Sequence, residues 1–95
     1  MFVLHIDMKP KPSSEQALEG IYLDHFRPTV SRQPGFVDVH LLRPEKGRSD
    51  YRLCLSFDNQ ASQQQWVETD VHQKLWPQLE GQCVGYSVKY YKPVE

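Results

Sequence analysis

Ninety-five residues with a formal charge of −1, 39% hydrophobic and 12% aromatic, describe a single globular domain, residues 1–95, built on one modest core. The near-neutral charge removes the usual electrostatic reason for a nucleic-acid or anionic-membrane partner, and no apolar run approaches the roughly 20 residues of a membrane helix. The chain opens Met1-Phe2-Val3-Leu4 without a basic stretch leading into a long apolar one, so no secretory signal is read and a cytoplasmic location is expected.

Phe2 to Met8 alternates. Phe2, Leu4, Ile6 and Met8 fall on one side and Val3, His5 and Asp7 on the other, which is the period of a strand. Lys9-Pro10-Lys11-Pro12 is expected to end it, because proline cannot donate to a central ladder. Ser13 and Gln16 have the spacing of a capping box. Ala17, Leu18, Ile21, Tyr22 and Phe26 then form a helical stripe, which Pro28 should kink or interrupt. Gln33-Pro34-Gly35 reads as a turn, with proline setting its own φ and glycine tolerating a positive one. Phe36 to Arg43 is a second strand, Pro44 to Gly47 a hairpin connection, and Tyr51 to Phe57 a third strand. Asp58 or Asn59 can cap the helix that carries Trp66. Thr69-Asp70 has the character of a fresh cap, so the helix should break there and resume through Leu79, with Gly81 as its stop. Val84 to Tyr91 is the last strand.

The order is β-α-β-β-α-β with the second helix divided. Two right-handed crossovers give a ferredoxin-like α+β domain, a four-stranded antiparallel sheet in the order 4-1-3-2 with helices on one face. Cys54 and Cys83 form no Cys-x-x-Cys pair and are expected to be buried thiols. They lie on strands two spacings apart, about 9–10 Å, which is too far for a disulfide.

The sheet has two unlike faces. One collects Phe2, Leu4, Ile6, Val37, Val39, Leu41, Tyr51, Leu53, Leu55, Val84, Tyr86, Val88 and Tyr90. The other collects His5, Asp7, Asp38, His40, Arg52, Cys54, Ser56, Ser87 and Lys89, with Phe36 and Leu42 at its edges. The helices can cover the apolar set and leave the polar one to solvent or to a second copy of the chain. Alternatively, they can cover the polar set and leave the apolar one as a dimer interface.

The Lys9-Pro10 end of strand one, Gln33-Pro34-Gly35-Phe36 entering strand two, and Phe57, Ala61, Trp66, the Thr69-Asp70 break and His72 together resemble the antibiotic biosynthesis monooxygenase (ABM) family over nearly the whole chain. The resemblance implies a dimeric α+β barrel, hence a homodimer. Some members oxidise quinols or polycyclic phenols with O₂ and no metal or flavin. Their pocket pattern, an Asn, a Trp four residues later and a Tyr six after that, falls here on Ser62, Trp66 and His72. A haem-degrading branch of the family implies a set that falls on Asp7, Trp66 and Trp76, without its axial His.

Deprotonation makes a phenol or quinol a better electron donor to O₂. An oxygenase of this kind therefore needs a base, a group that holds the substrate oxygen, and a dry aromatic cavity. His72 is the candidate base, because imidazole titrates near neutrality. Trp66 is the candidate stacking partner, and Ser62, one helical turn earlier, the candidate orienting hydroxyl. Trp76, Asp7 and His5 are expected to line the same pocket. That expectation selects the second arrangement of the sheet, helices over the polar face, because it gathers His5, Asp7, Trp66 and His72 around one cavity.

Two further readings compete: both indoles and the imidazole serve only as core and surface residues, or the chain is a non-catalytic dimer that binds a small hydrophobic molecule. A two-histidine, one-carboxylate metal set can be drawn from His5, Asp7 and His40. Strand three separates the strands that carry the two histidines, so no metal site is expected, and no cofactor.

Overall fold

The computed structural model describes residues 1–46 and 50–95; Gly47 of the expected hairpin connection lies outside them. Strand β1 runs Phe2–Pro10, β2 Phe36–Leu42, β3 Tyr51–Phe57 and β4 Cys83–Tyr91. They form one antiparallel sheet in the order β2-β3-β1-β4, the order that two right-handed crossovers require. β1 continues two residues past the expected stop. It passes through Pro10 at a register shift against β4, the kind of position where a sheet tolerates a missing N–H.

The first helical segment begins at Glu15 rather than at a Ser13 cap. Ser13 takes a left-handed conformation, φ 66°, and the N-cap is Ser14, which makes no side-chain cap bond. Pro28 neither breaks nor ends the helical run. Helix α1, Glu15–Ile21, passes into a π-helical stretch, Tyr22–Phe26, and then into α2, Arg27–Val30. The Arg27 amide donates to the Tyr22 carbonyl, five residues back. Proline lacks an N–H and crowds the carbonyl four residues before it; the wider turn absorbs both defects and keeps Tyr22 and Phe26 facing inward.

Helix α3, Gln60–Glu68, is capped by Asn59, whose side chain accepts from the Ser62 amide at 2.9 Å. Helix α4, Asp70–Glu80, is capped by Thr69, whose Oγ1 accepts from the His72 amide at 3.1 Å. The break between them is the one the Thr69-Asp70 pair dictates.

The helices cover the apolar face. Leu4, Ile6, Met8, Val39, Leu53, Leu55 and Phe57 are buried against Leu18, Phe26, Val30, Trp66, Leu75 and Leu79. This overturns the expectation that the helices sit over the polar face. The alternation of β1 gives two faces but does not say which one is covered, and burial of the branched and aromatic side chains decides it.

One further correction concerns β2. A bulge between Phe36 and Asp38 pairs Phe36 with Phe57, so Phe36 packs edge-on against Phe57 on the core side and Val37 is left exposed. One extra residue in a strand inverts the facing of every residue before it.

The turn into β2 is tight because Gly35 adopts φ +78° with its Cα against Ser62 and Asp58. Its carbonyl accepts from the Asp58 amide at 2.7 Å. Gly35→Ala is expected to lower stability by at least about 1–2 kcal/mol, from the left-handed backbone alone, with a further penalty from a Cβ directed into the Ser62 side chain. Urea unfolding of the variant measures it.

Candidate functional site

Three of the expected site residues come together, and two residues not foreseen join them. Trp66 sits on the inner side of α3 and is only 2% exposed. Its ring meets Phe26 edge-on at 5.9 Å and His72 edge-on at 5.0 Å. The His72 ring lies parallel to that of Trp76, with 6.2 Å between centroids, and Trp76 meets Tyr86 of β4 edge-on at 5.2 Å. The result is a run of rings, Phe26–Trp66–His72–Trp76–Tyr86, that begins in the core and ends at an exposed tyrosine. Phe26 and Tyr86 were each legible as apolar-face positions of their own elements. Only the packing of the π-helical stretch against α3, and of α4 on β4, places them with the indoles.

His72 owes its position to the helix break. Thr69 restarts the chain as α4, and the third residue of the first turn projects back toward Trp66. Its Nδ1 is, among the described residues, the one buried side-chain nitrogen or oxygen with no hydrogen-bond partner. Burial pushes the imidazole below its ordinary value of 6.5, and the positive end of α4 acts in the same direction. His72 is therefore neutral at physiological pH.

The depressed value also ties His72 to stability. The unfolded chain takes up the proton first as pH falls. Stability is therefore full above 6.5 and declines as the pH drops from there toward the folded value. His72→Gln should flatten that part of the curve, measured as urea midpoints across and below pH 6.5.

The other expected site residues stand elsewhere. Ser62 is on α3, but its hydroxyl lies against the Gly35 turn and no ring contact joins it to the run. His5 and Asp7 are on the opposite face of the sheet, because odd-numbered residues of β1 point away from the helices. Asp7 accepts from Arg52 Nε at 2.8 Å, and that bond holds its carboxyl below the usual range. The His5 ring rests on Tyr91, 4.9 Å between centroids. The pocket drawn from His5, Asp7, Trp66 and His72 together is thus not formed, nor is the set Asp7, Trp66 and Trp76, since a sheet lies between Asp7 and the indoles.

Trp66 fills space rather than bordering a hollow. An open groove of about 670 Å³ adjoins α3 on its next side and is lined by Phe2, Val67, Tyr90, three glutamines and Glu68. A smaller hollow of about 250 Å³ lies at the far end of the helix layer. There Arg43 and the Tyr51 hydroxyl both donate to Glu19, tying α1 to the ends of β2 and β3. Among the described residues no three His, Cys, Asp or Glu side chains converge on one point, and no helix is long and apolar enough to cross a membrane.

A family model for antibiotic biosynthesis monooxygenases matches residues 1–76. Solved structures of the same shape include SnoaB, a cofactor-independent oxygenase from Streptomyces nogalater. It is 13% identical with a TM-score of 0.87, over 99% of this chain and 93% of that one. A candidate antibiotic biosynthesis monooxygenase from Caulobacter crescentus CB15 is 17% identical with a TM-score of 0.86, over 99% of this chain and 90% of that one. Another, from Nitrosomonas europaea, is 12% identical with a TM-score of 0.85, over the whole of both chains. At these identities the likeness is one of fold. Comparison with curated proteins returns no match.

Proposed function

The chain belongs to the antibiotic biosynthesis monooxygenase family, and from that premise we propose that it is a homodimeric, cofactor-independent monooxygenase. It oxidises an aromatic or quinol-like compound with O₂, and His72 takes the substrate proton. The observation that carries this reading is the dry, unpartnered Nδ1 of a neutral imidazole held between two indoles. A buried polar atom without a partner costs free energy. A substrate hydroxyl donating to Nδ1 removes that cost, and the proton already on the ring then sits on Nε2.

In this reading the substrate hydroxyl meets Nδ1 and loses its proton to it. The resulting anion, shielded from water by Trp66 and Trp76, is electron-rich enough to reduce O₂ and recombine with it. Trp66 is the fixed wall, packed on Phe26. Trp76 is half-buried and Tyr86 exposed, so these two rings are the side that yields to admit a planar molecule. Apo geometry of this closed kind does not disqualify a base, since catalytic hydrogen bonds often tighten only in the complex. Ser62 lies against the Gly35 turn, away from the ring run, and has no part in the chemistry of this reading.

The open sheet face carries His5, Asp7, Asp38, His40, Arg52 and Cys54. In a dimer built sheet to sheet it meets the same face of a second copy, an isologous contact.

Oxygen uptake by the purified protein with a panel of quinols and polycyclic phenols tests the activity, and sedimentation tests the dimer. The groove lined by Phe2, Val67 and Tyr90 favours a second reading, a dimer that binds a small hydrophobic molecule without turning it over. Binding of such compounds with no oxygen uptake from any reduced aromatic would leave that reading standing alone.

A further inference from the structure

We propose that Trp76 and Tyr86 form the outward end of a path that carries oxidising equivalents away from the candidate site and discharges them at the surface. The use of such a path rests on the oxygenase reading; its existence rests on the rings themselves. Electron transfer between aromatic side chains needs rings in near contact, a better electron donor at the outer end and an outlet for the proton. All three are met. The Trp66 ring meets His72 at 5.0 Å, His72 lies parallel to Trp76 at 6.2 Å, and Trp76 meets Tyr86 at 5.2 Å. Exposure rises along the same line, from 2% at Trp66 to 47% at Tyr86. At neutral pH a phenol that sheds its proton on oxidation is a slightly better one-electron donor than an indole. An electron vacancy formed beside the indoles therefore moves outward to Tyr86, where water takes the proton.

The inner end of the run is closed. Tyr22 stacks behind Phe26 at 6.3 Å, but it is buried, and burial pushes its phenol above the ordinary range. Loss of a proton there is opposed, because a buried group resists becoming charged. The outer end stays wet in the proposed dimer. Tyr86 pairs with Met8 across β1 and β4, and Met8 belongs to the face that the helices cover, so Tyr86 points away from the sheet-to-sheet contact.

Reduction of O₂ by a substrate anion passes through radicals. A substrate radical that takes up O₂ without completing the reaction becomes an organic peroxyl radical, a one-electron oxidant beside two indoles. An indole gives it one electron, and the resulting peroxide anion takes up a proton. Tyr86 returns an electron to the indole and releases its phenolic proton to water. The sum converts peroxyl and phenol into hydroperoxide and phenoxyl, and a soluble reductant then restores the phenol by giving one hydrogen atom. No bond in Trp66 or Trp76 is altered, whereas an indole left oxidised adds oxygen and is lost.

Tyr86→Phe tests the path, because it keeps a ring against Trp76 and removes only the hydroxyl. Azide radicals, generated by pulse radiolysis in the absence of O₂, oxidise indoles in preference to phenols. In the wild-type protein the tryptophanyl absorption should decay as the tyrosyl absorption grows, at a rate independent of protein concentration. Tyr86→Phe should lose most of the tyrosyl signal and lengthen the tryptophanyl decay by an order of magnitude. Tyr90→Phe and Tyr91→Phe, at exposed tyrosines off the run, should leave both unchanged. In a second measurement the protein is held with a water-soluble peroxyl-radical source and ascorbate, and peptide mass spectrometry reads the oxidised tryptophan. Oxidation of Trp76 should be severalfold greater in Tyr86→Phe than in the wild type. Circular dichroism confirms that each variant is folded. A tryptophanyl decay unaltered by Tyr86→Phe would overturn the path, and equal Trp76 oxidation in the two proteins would overturn its protective role. Neither measurement uses a quinol or turnover, so an inactive oxygenase and an absent path give different results.

Discussion

His72→Gln is expected to lower the rate of oxygen uptake with an active quinol by about 10²–10⁴-fold, the range over which a positioned proton acceptor contributes, while the protein stays folded. Glutamine keeps much of the ring's volume and its polarity, and the Thr69 cap bonds the residue 72 amide rather than the side chain. The loss should therefore fall on kcat rather than on folding. The wild-type pH profile carries a second signature. A base must be neutral to act, and burial holds His72 below 6.5. The acid limb should accordingly lie below that value, and it should vanish in the variant's residual activity. An unchanged rate in a folded His72→Gln protein would remove the imidazole from the mechanism.

Trp66→Ala is expected to produce the largest loss of stability of any single substitution near the site, about 3–5 kcal/mol. The ring is 2% exposed and wedged between Phe26 and His72, so truncation removes both the transfer free energy of the indole and its packing on two rings. For a domain of this size that corresponds to a fall in Tm of about 12–40 °C, taking about 4–8 °C per kcal/mol. Trp76→Ala, at a half-buried position on the other side of the imidazole, should cost less than half as much. Thermal unfolding of the two variants at one fixed protein concentration compares them, concentration being held because dimerisation adds to apparent stability. Equal losses would mean that Trp76 is as much a core residue as Trp66, and would take away the yielding side of the proposed pocket.

Much of the architecture was legible because it depends on neighbours in the chain. The alternation of Phe2 to Met8, the Asn59 and Thr69 caps and the lengths of the connections led to four strands in the observed order and to the helix break that places His72. Where local signals failed, a tertiary constraint had overruled them. Pro28 was accommodated at the start of α2 by the π-helical stretch that precedes it, which keeps Tyr22 and Phe26 in the core. The Phe36 side chain changed faces through a bulge, which no periodicity announces. Ser13 lost its cap to a left-handed turn after Lys11-Pro12. Within the candidate site, Trp66, His72 and Trp76 could be singled out by residue type and spacing. Ser62 carried the right spacing from Trp66 but faces the Gly35 turn, and His5 and Asp7 were assigned to the wrong side of the sheet.

The amino-acid order by itself determined the two-faced strands, the caps and the β-α-β-β-α-β succession, since each follows from side-chain periodicity and hydrogen bonding within a few residues. Only the folded chain decided which face the helices cover, and with it that the Nδ1 of His72 is buried beside two indoles while His5 stands on the far side of the sheet. It also decided that β3, which in the sequence merely separates the strands of His5 and His40, sets the Cys54 thiol between them. Burial and cross-strand register are properties of chain segments brought together from a distance, and no local pattern encodes them.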